Sequence, residues 1–363
     1  MAESAEPIDP ISASPEAPRQ SLPSEEPVEV RPVEIRKIAI VGEIPFAGRA
    51  LVHALLQQGF SARVLCPDNA AELAVQSSTP IKKMIENPPT LTPGLNVFTG
   101  SNAADETVSV ETVRGSLESS KDIEEVLKGA YGVCFLSPIT LSGRMYRANE
   151  HIEDVKRLAQ AAQNGKIRKL VYHSALGANL ESNSKALRQA VEAEQLIHAV
   201  KCEDFRVRTG PLMGRNDGFL SEILQSVRTP SPLMRILGYG STTVQPIHVN
   251  DMAACIARIF SPQPDELGAG DYSLAGPEST TLLELIDRAA DRVKRHKLKI
   301  HIPLFALQLW LSLRKGNGFR EQVSLLFDTF YTEENDAPRL MTGGRELTTP
   351  TQTQEEILAA GAG

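Results

Sequence analysis

The sequence contains no apolar run long enough to cross a bilayer, no paired metal-ligand cysteines and no excess of basic charge. Its most apolar stretch, Ile302 to Leu313 (IPLFALQLWLSL), has 12 residues, whereas a spanning helix needs about 20. A transmembrane segment is therefore not expected. That stretch is instead expected to be a buried helix, with a peripheral membrane contact or a protein contact as the alternative. The four cysteines, Cys66, Cys134, Cys202 and Cys255, show neither CxxC nor Cys/His spacing, which leaves no metal site and predicts free thiols in a reducing compartment. A net charge of -7 argues against a nucleic-acid partner. The opening MAESAEPIDP is acidic and lacks the apolar core or arginines of a targeting leader, so the expected location is cytoplasmic.

What is present is a long alternation of short apolar runs with amphipathic segments, enclosed by polar ends. Residues 1 to 35 repeat Pro, Glu and Ser and are expected to form a disordered acidic tail. From there the pattern predicts strand Lys37 to Val41, a helix carrying Ala50, Leu51, Ala54 and Leu55 on one face, and a strand from Phe60 to Cys66. Residues 67 to 107 hold Pro67, Pro80, Pro88, Pro89 and Pro93 and read as an insertion. Then come strand 108–113, helix 120–128, strand 132–136, helix 143–164, strand 169–173, helix 184–200 and strand 205–208. Strands regularly separated by helices predict an α/β fold, a doubly wound parallel sheet over residues 36 to 332. From Thr209 the chain is punctuated by Gly and Pro, and a smaller C-terminal lobe (about 209–245 and 264–332) is expected over the carboxyl ends of the strands. Residues 333 to 363 lack periodicity and are expected to form a second disordered tail.

The turn after the first strand is Gly42-Glu43-Ile44-Pro45-Phe46-Ala47-Gly48. Dinucleotide folds use three glycines here, for the tight turn, for backbone approach to pyrophosphate, and for close helix packing. The first and third are kept, but Pro45 replaces the second, which adds a ring and removes a donor where phosphates approach. Glu43 adds a negative charge that weakens an anionic ligand unless its side chain points outward. Cys66 stands at the end of the second strand, where an acid would hold ribose hydroxyls, with Asp68 as the alternative. Arg63 and Arg49 are the candidates to favour a 2′-phosphate.

Four further blocks, 113–136 (VRGSLESSKDIEEVLKGAYGVCFL), 169–178 (KLVYHSALGA), 205–219 (FRVRTGPLMGRNDGF) and 244–253 (VQPIHVNDMA), resemble the atypical extended short-chain dehydrogenases. The closest branch is similar to NmrA-like NAD(P)-binding proteins and to the nucleotide-binding accessory subunit of respiratory complex I. The resemblance covers Lys37 to Thr332 and implies a Rossmann-type domain holding NAD or NADP. It places the Gly42 to Gly48 turn at the phosphates, Ser116 and Leu117 beside the adenine, and Leu136, Ser137 and Pro138 beneath the adenosine ribose. His173, Ser174, Pro211 and Met213 complete the implied contact set.

Ser116 stands where relatives carry an aspartate. Active relatives also place a Tyr and a Lys four residues apart on the helix after the SALGA-like block, where the lysine lowers the tyrosine pKa. The positions here are Ala186 and Ala190, and no register slip restores the pair. Ser174 matches the site serine but moves no proton alone. Tyr172 and His173 point to opposite faces of a strand and read as packing, and Asp251 reads as a helix N-cap. The expectation is a non-catalytic or weakly catalytic nucleotide-binding protein acting as scaffold, sensor or accessory subunit. Its protein partner would be met through the tails, the 67–107 insertion or Ile302 to Leu313. The alternative is a reductase or epimerase-like enzyme with another proton donor.

Overall fold

The computed structural model describes residues 36–66, 108–137, 148–215, 217–261, 267–303, 324–325, 328–341 and 345–360. The 1–35 tail, the 67–107 insertion with Asp68, Pro138 and the apolar run beyond Pro303 lie outside the described residues.

The strands in chain order are β1 (Lys37–Gly42), β2 (Ser61–Cys66), β3 (Val110–Arg114), β4 (Gly132–Leu136), β5 (Lys169–Ala175) and β6 (Glu203–Thr209), followed by short β7 (Leu212–Met213). The later strands are β8 (Leu233–Leu237), β9 (Thr243–Val244), β10 (Ile247–His248), β11 (Gly270–Leu274), β12 (Thr280–Thr281) and β13 (Leu298–Ile302). Seven of them form one sheet in the order β11-β6-β5-β4-β1-β2-β3. Every pairing in it is parallel. The expected doubly wound α/β architecture is thus what the chain forms.

The alternation of β1 explains why helices cover both faces. Ile38 and Ile40 enter one apolar cluster with helices Arg49–Gln57 and Val249–Phe260. Ala39 and Val41 enter the other, with helices Ser120–Leu127, Ala148–Asn164 and Lys185–His198. A strand buried on both sides must be apolar throughout, which is why KIAIV reads as a run rather than an alternation. Each fully buried Ile or Leu contributes about 1.5–3 kcal/mol. The first helix stops at Gly59, whose φ of +82° suits a left-handed residue that lets Phe60 N–H reach the Leu55 carbonyl.

Beyond β6, helix Leu220–Arg228 and helix Leu282–Val293 pack together with β8 through Leu224, Val227, Met234, Ile236, Ile286 and Ala289. The second of these helices opens on a reciprocal cap between Thr281 and Glu284.

The C-terminal residues correct one expectation. In place of a disordered tail from 333, the described residues carry helices Ala337–Leu340 and Pro350–Ala360, with Ala337, Leu340, Thr353 and Gln354 buried. Asn335 mimics a strand partner, accepting from Ala275 N–H (3.0 Å) and donating to its carbonyl (2.9 Å). Asp336 accepts from Ser273 N–H at 2.9 Å. Asp251, fully buried inside its helix, accepts from Thr348 N–H at 2.7 Å and from Arg345 at 3.3 Å. Asp251 is therefore not the N-cap, a role taken by His248, whose ring accepts from Asn250 N–H.

Candidate functional site

The strand order reverses between β1 and β4, and in an open parallel sheet the crevice at that reversal, at the carboxyl ends, is where ligands sit. Gly42 and Leu136 lie abreast there, and Glu43 N–H donates to the Leu136 carbonyl at 2.8 Å. Gly42 has φ +99°, and a Cβ on it would lie 2.1 Å from that same carbonyl oxygen. Its glycine is thus demanded by the sheet itself. After it the chain makes one wide π-type turn, Ile44–Gly48, closed by Gly48 N–H to the Glu43 carbonyl at 3.2 Å, and runs into helix Arg49–Gln57.

The Glu43 side chain points into this turn. Its Oε2 accepts from Ala47 N–H at 3.0 Å. Free N–H groups at such a turn, with the positive end of the helix behind them, are what an incoming phosphate would bind. Here a carboxylate of the chain already occupies one of them, and Pro45 lacks another.

At the neighbouring ends of β2 and β3, Cys66 is buried and its thiol pKa is pushed up by burial, so it stays neutral. Its carbonyl accepts from Gly115 N–H at 3.0 Å. Ser116 N–H donates to Asp122 at 2.9 Å, so a carboxylate reaches this turn from six residues downstream although position 116 is a serine. The Leu117 carbonyl accepts from Arg157 at 2.8 Å. Arg63 is corrected as a 2′-phosphate candidate. It sits mid-strand, bonded to Glu111 at 2.6 Å and to the Lys128 carbonyl at 2.6 Å, one of three carbonyls it caps at the end of helix Ser120–Leu127. Arg49 has no hydrogen-bond or ion-pair partner among the described residues.

At the end of β5, His173 lies abreast of Leu136. Its Nε2 bonds the Thr209 hydroxyl at 2.8 Å, and burial lowers its pKa to about 4, which leaves it neutral. Across the sheet Tyr172 bonds His151 at 2.9 Å, likewise neutral with a pKa lowered to about 4 by burial. His173 Nδ1 and the Ser174 hydroxyl are buried with no partner among the described residues. Ala186 and Ala190 are buried on helix Lys185–His198, within a cluster that includes Met213, Phe219, Leu325 and Phe330. No titratable side chain stands on that face at either position.

From β6 the chain enters Gly210 to Gly214. The Pro211 carbonyl accepts from Ile247 N–H at 3.0 Å. Asp217, its pKa raised by burial, holds the loop by accepting from Gly214 N–H (2.9 Å) and Ser221 N–H (2.6 Å). A side chain on Gly214 would meet the Phe46 ring at 3.4 Å, so the ring of the first turn lies over this last segment.

The residues named from sequence therefore fall along one edge, from Ser116 and Cys66 through Gly42 and Leu136 to His173, Ser174, Pro211 and Met213. Asp122 and Asp217 also hold this edge, the first accepting from Ser116 N–H six residues back and the second from Gly214 N–H three back and Ser221 N–H four on. An acid within a few residues of a turn is common in loops, so the sequence alone gives no distinctive signal for either.

Comparison with known proteins bears on the family and the fold. The sequence profile of the NmrA-like family matches residues 34–308. A mitochondrial NADH dehydrogenase [ubiquinone] 1 alpha subcomplex subunit 9 of Arabidopsis thaliana is 28% identical over 173 residues, 46% of this chain and 42% of that protein. Its Mus musculus counterpart is 27% identical over 46% of this chain and 45% of its own length. The chain thus aligns with less than half the length of these curated relatives. Among solved structures, an NADPH-dependent quinone oxidoreductase of Escherichia coli complexed with NADPH superposes with TM-score 0.63 at 14% identity, over 88% of this chain and 99% of that one. A Citrobacter sp. triphenylmethane reductase complexed with NADP(H) gives TM-score 0.61 at 15% identity, over 88% and 99%. At such identities the likeness is one of fold.

Proposed function

This chain belongs to the NmrA-like family, and from that premise we propose that it binds a nicotinamide dinucleotide, NAD or NADP, along the carboxyl edge without tyrosine-lysine chemistry. It serves as a scaffold, sensor or accessory subunit. The observation that carries this reading is the pair Ala186 and Ala190, buried in an apolar cluster where proton-transferring side chains would stand. Phe219, Leu325 and Phe330 belong to that cluster, so the face is packed rather than left open.

The residues present fit the cofactor in part. The backbone of Ile44 and Phe46 to Gly48 would face the pyrophosphate, with Cys66, Ser116 and Leu117 around the adenosine and Leu136 to Pro138 beneath its ribose. His173 Nδ1 and Ser174 Oγ, buried without described partners, are atoms that a bound amide would satisfy. Against this stands Glu43, whose carboxylate holds Ala47 N–H and competes with phosphate. Hydride transfer, where it occurs, is chemistry the nicotinamide supplies. The chain's own part is to bind and orient.

The NADPH and NADP(H) of the solved neighbours support the dinucleotide, and the complex I subunits among the relatives support a protein partner. Four free thiols support a reducing compartment such as the cytoplasm. No helix among the described residues is long and apolar enough to cross a membrane. Isothermal titration with NAD(H) and NADP(H) tests the reading. Micromolar binding of one of them is expected, and no heat at millimolar cofactor leaves only a scaffold.

A further inference from the structure

Strands β8 and β13 pair in parallel, with Leu233 beside Leu298, Arg235 beside Ile300 and Leu237 beside Ile302. The ribbon's inner face, Met234 and Ile236, is buried against the two lobe helices. On its outer face Leu233 is 45% exposed, Leu298 68% and Ile300 41%, and beyond the end of β8 Tyr239, 73% exposed, stacks on His301. These are four of the six large apolar side chains most exposed among the described residues, so exposure is concentrated here rather than scattered.

The charge of the ribbon is opposite to that of the chain. Residues 228–239 and 294–302 carry Arg228, Arg235, Lys294, Arg295, Lys297 and Lys299 and no Asp or Glu, in a protein of net charge -7. Arg295 and Lys297 hydrogen-bond the carbonyls of Arg228, Ser226 and Thr229, which orients them without neutralising them. Lys299 is paired with Asp287, whereas Arg235 and Lys294 have no ion-pair partner among the described residues. After Ile302 the sequence continues into the uncharged apolar run ending at Leu313, followed by Arg314 and Lys315.

We propose that this ribbon docks the protein on an anionic phospholipid surface, with Leu233, Leu298 and Ile300 entering the headgroup boundary, Tyr239 at its end, and the flanking cations meeting lipid phosphates. Aliphatic side chains and the unpaired Arg235 on one exposed face, with a tyrosine and further cations at the ends of the ribbon, are the combination that an interfacial membrane site uses. A nucleic-acid surface would present cations with stacking aromatics and would leave three aliphatic side chains in water. Nothing in this inference depends on cofactor binding.

Co-sedimentation of the full chain with phosphatidylglycerol/phosphatidylcholine vesicles tests it. Binding is expected at low salt, with little to pure phosphatidylcholine and a steep loss at about 0.5 M NaCl. Leu298→Glu with Ile300→Glu lowers the vesicle-bound fraction at least about tenfold. Arg235→Glu, at an exposed position that leaves the melting temperature unchanged, lowers it about fivefold. The proposal is overturned by an absence of binding to anionic vesicles, by equal binding to neutral ones, or by variants that bind as the parent does. It is equally overturned if light scattering shows a dimer lost in the double variant, since a second copy would then cover the face, or if a single-stranded oligonucleotide displaces the vesicles.

Discussion

The β1 to β3 half of the carboxyl edge and the β5 to β6 half share one sheet, yet they carry different kinds of residue. In the first half the backbone constrains the sequence, because the Leu136 carbonyl lies where a Cβ on Gly42 would be. That glycine stays whether or not a nucleotide binds. In the second half, the alanines at positions 186 and 190 are buried in a cluster of apolar side chains. The glycine turn therefore reports architecture, and it is the helix carrying positions 186 and 190 that bears on activity.

The comparison is broken most directly at the second half. Ala190→Lys puts a charge into a fully buried apolar position and is expected to destabilise by about 3–5 kcal/mol in urea unfolding, with Ala186→Tyr costing about 1–3 kcal/mol by overpacking. A double variant as stable as the parent would mean that the face is an open pocket built for larger side chains.

Acid distinguishes the faces of β5 next. His173 on the site face and His151 across the sheet both have folded pKa values lowered to about 4 against an ordinary 6.5. The folded state thus binds these protons less readily than the unfolded state. The stability they contribute is complete above about pH 6.5 and is lost as the pH falls from there towards 4, by up to about 3 kcal/mol per imidazole. Unfolding free energies of His173→Gln between pH 7 and 4 should show a shallower acid limb. An unchanged limb would assign the acid sensitivity to His151 alone.

Much of this was legible in the sequence, and the failures have one physical origin. The strands and their order follow from buried apolar runs alternating with amphipathic helices, and both signals are local. Arg63 misled because a positive charge near a ribose position does not show that Glu111, 48 residues on, holds it. The residues after 333 show no periodicity because they are ordered by a few scattered apolar side chains, Ala337, Leu340 and Met341, and by long-range polar bonds such as Thr348 to Asp251, 97 residues apart. Glu43 showed its charge but not its direction, and that direction decides how the turn treats an anion.

That direction gives the third prediction, at the first half. Glu43→Gln keeps an acceptor for Ala47 N–H but removes the charge beside the incoming phosphates, which is worth about 1 kcal/mol at a helix start. Cofactor affinity by titration should rise about five- to tenfold, with little change in melting temperature. Unchanged affinity would show that Glu43 turns away when the nucleotide enters.

The smallest effect separates the halves most finely. Ser174 buries a hydroxyl without a partner among the described residues, and an unsatisfied buried group costs the fold rather than supporting it. Ser174→Ala should leave the ligand-free protein as stable as the parent or up to about 1 kcal/mol more stable. If the hydroxyl is kept for the cofactor, the same variant should bind dinucleotide about threefold to tenfold more weakly, the size of one lost hydrogen bond. A gain in stability with no loss of affinity would mean that Ser174 makes no ligand contact, and that nucleotide binding rests on the turn and the β2–β3 ends.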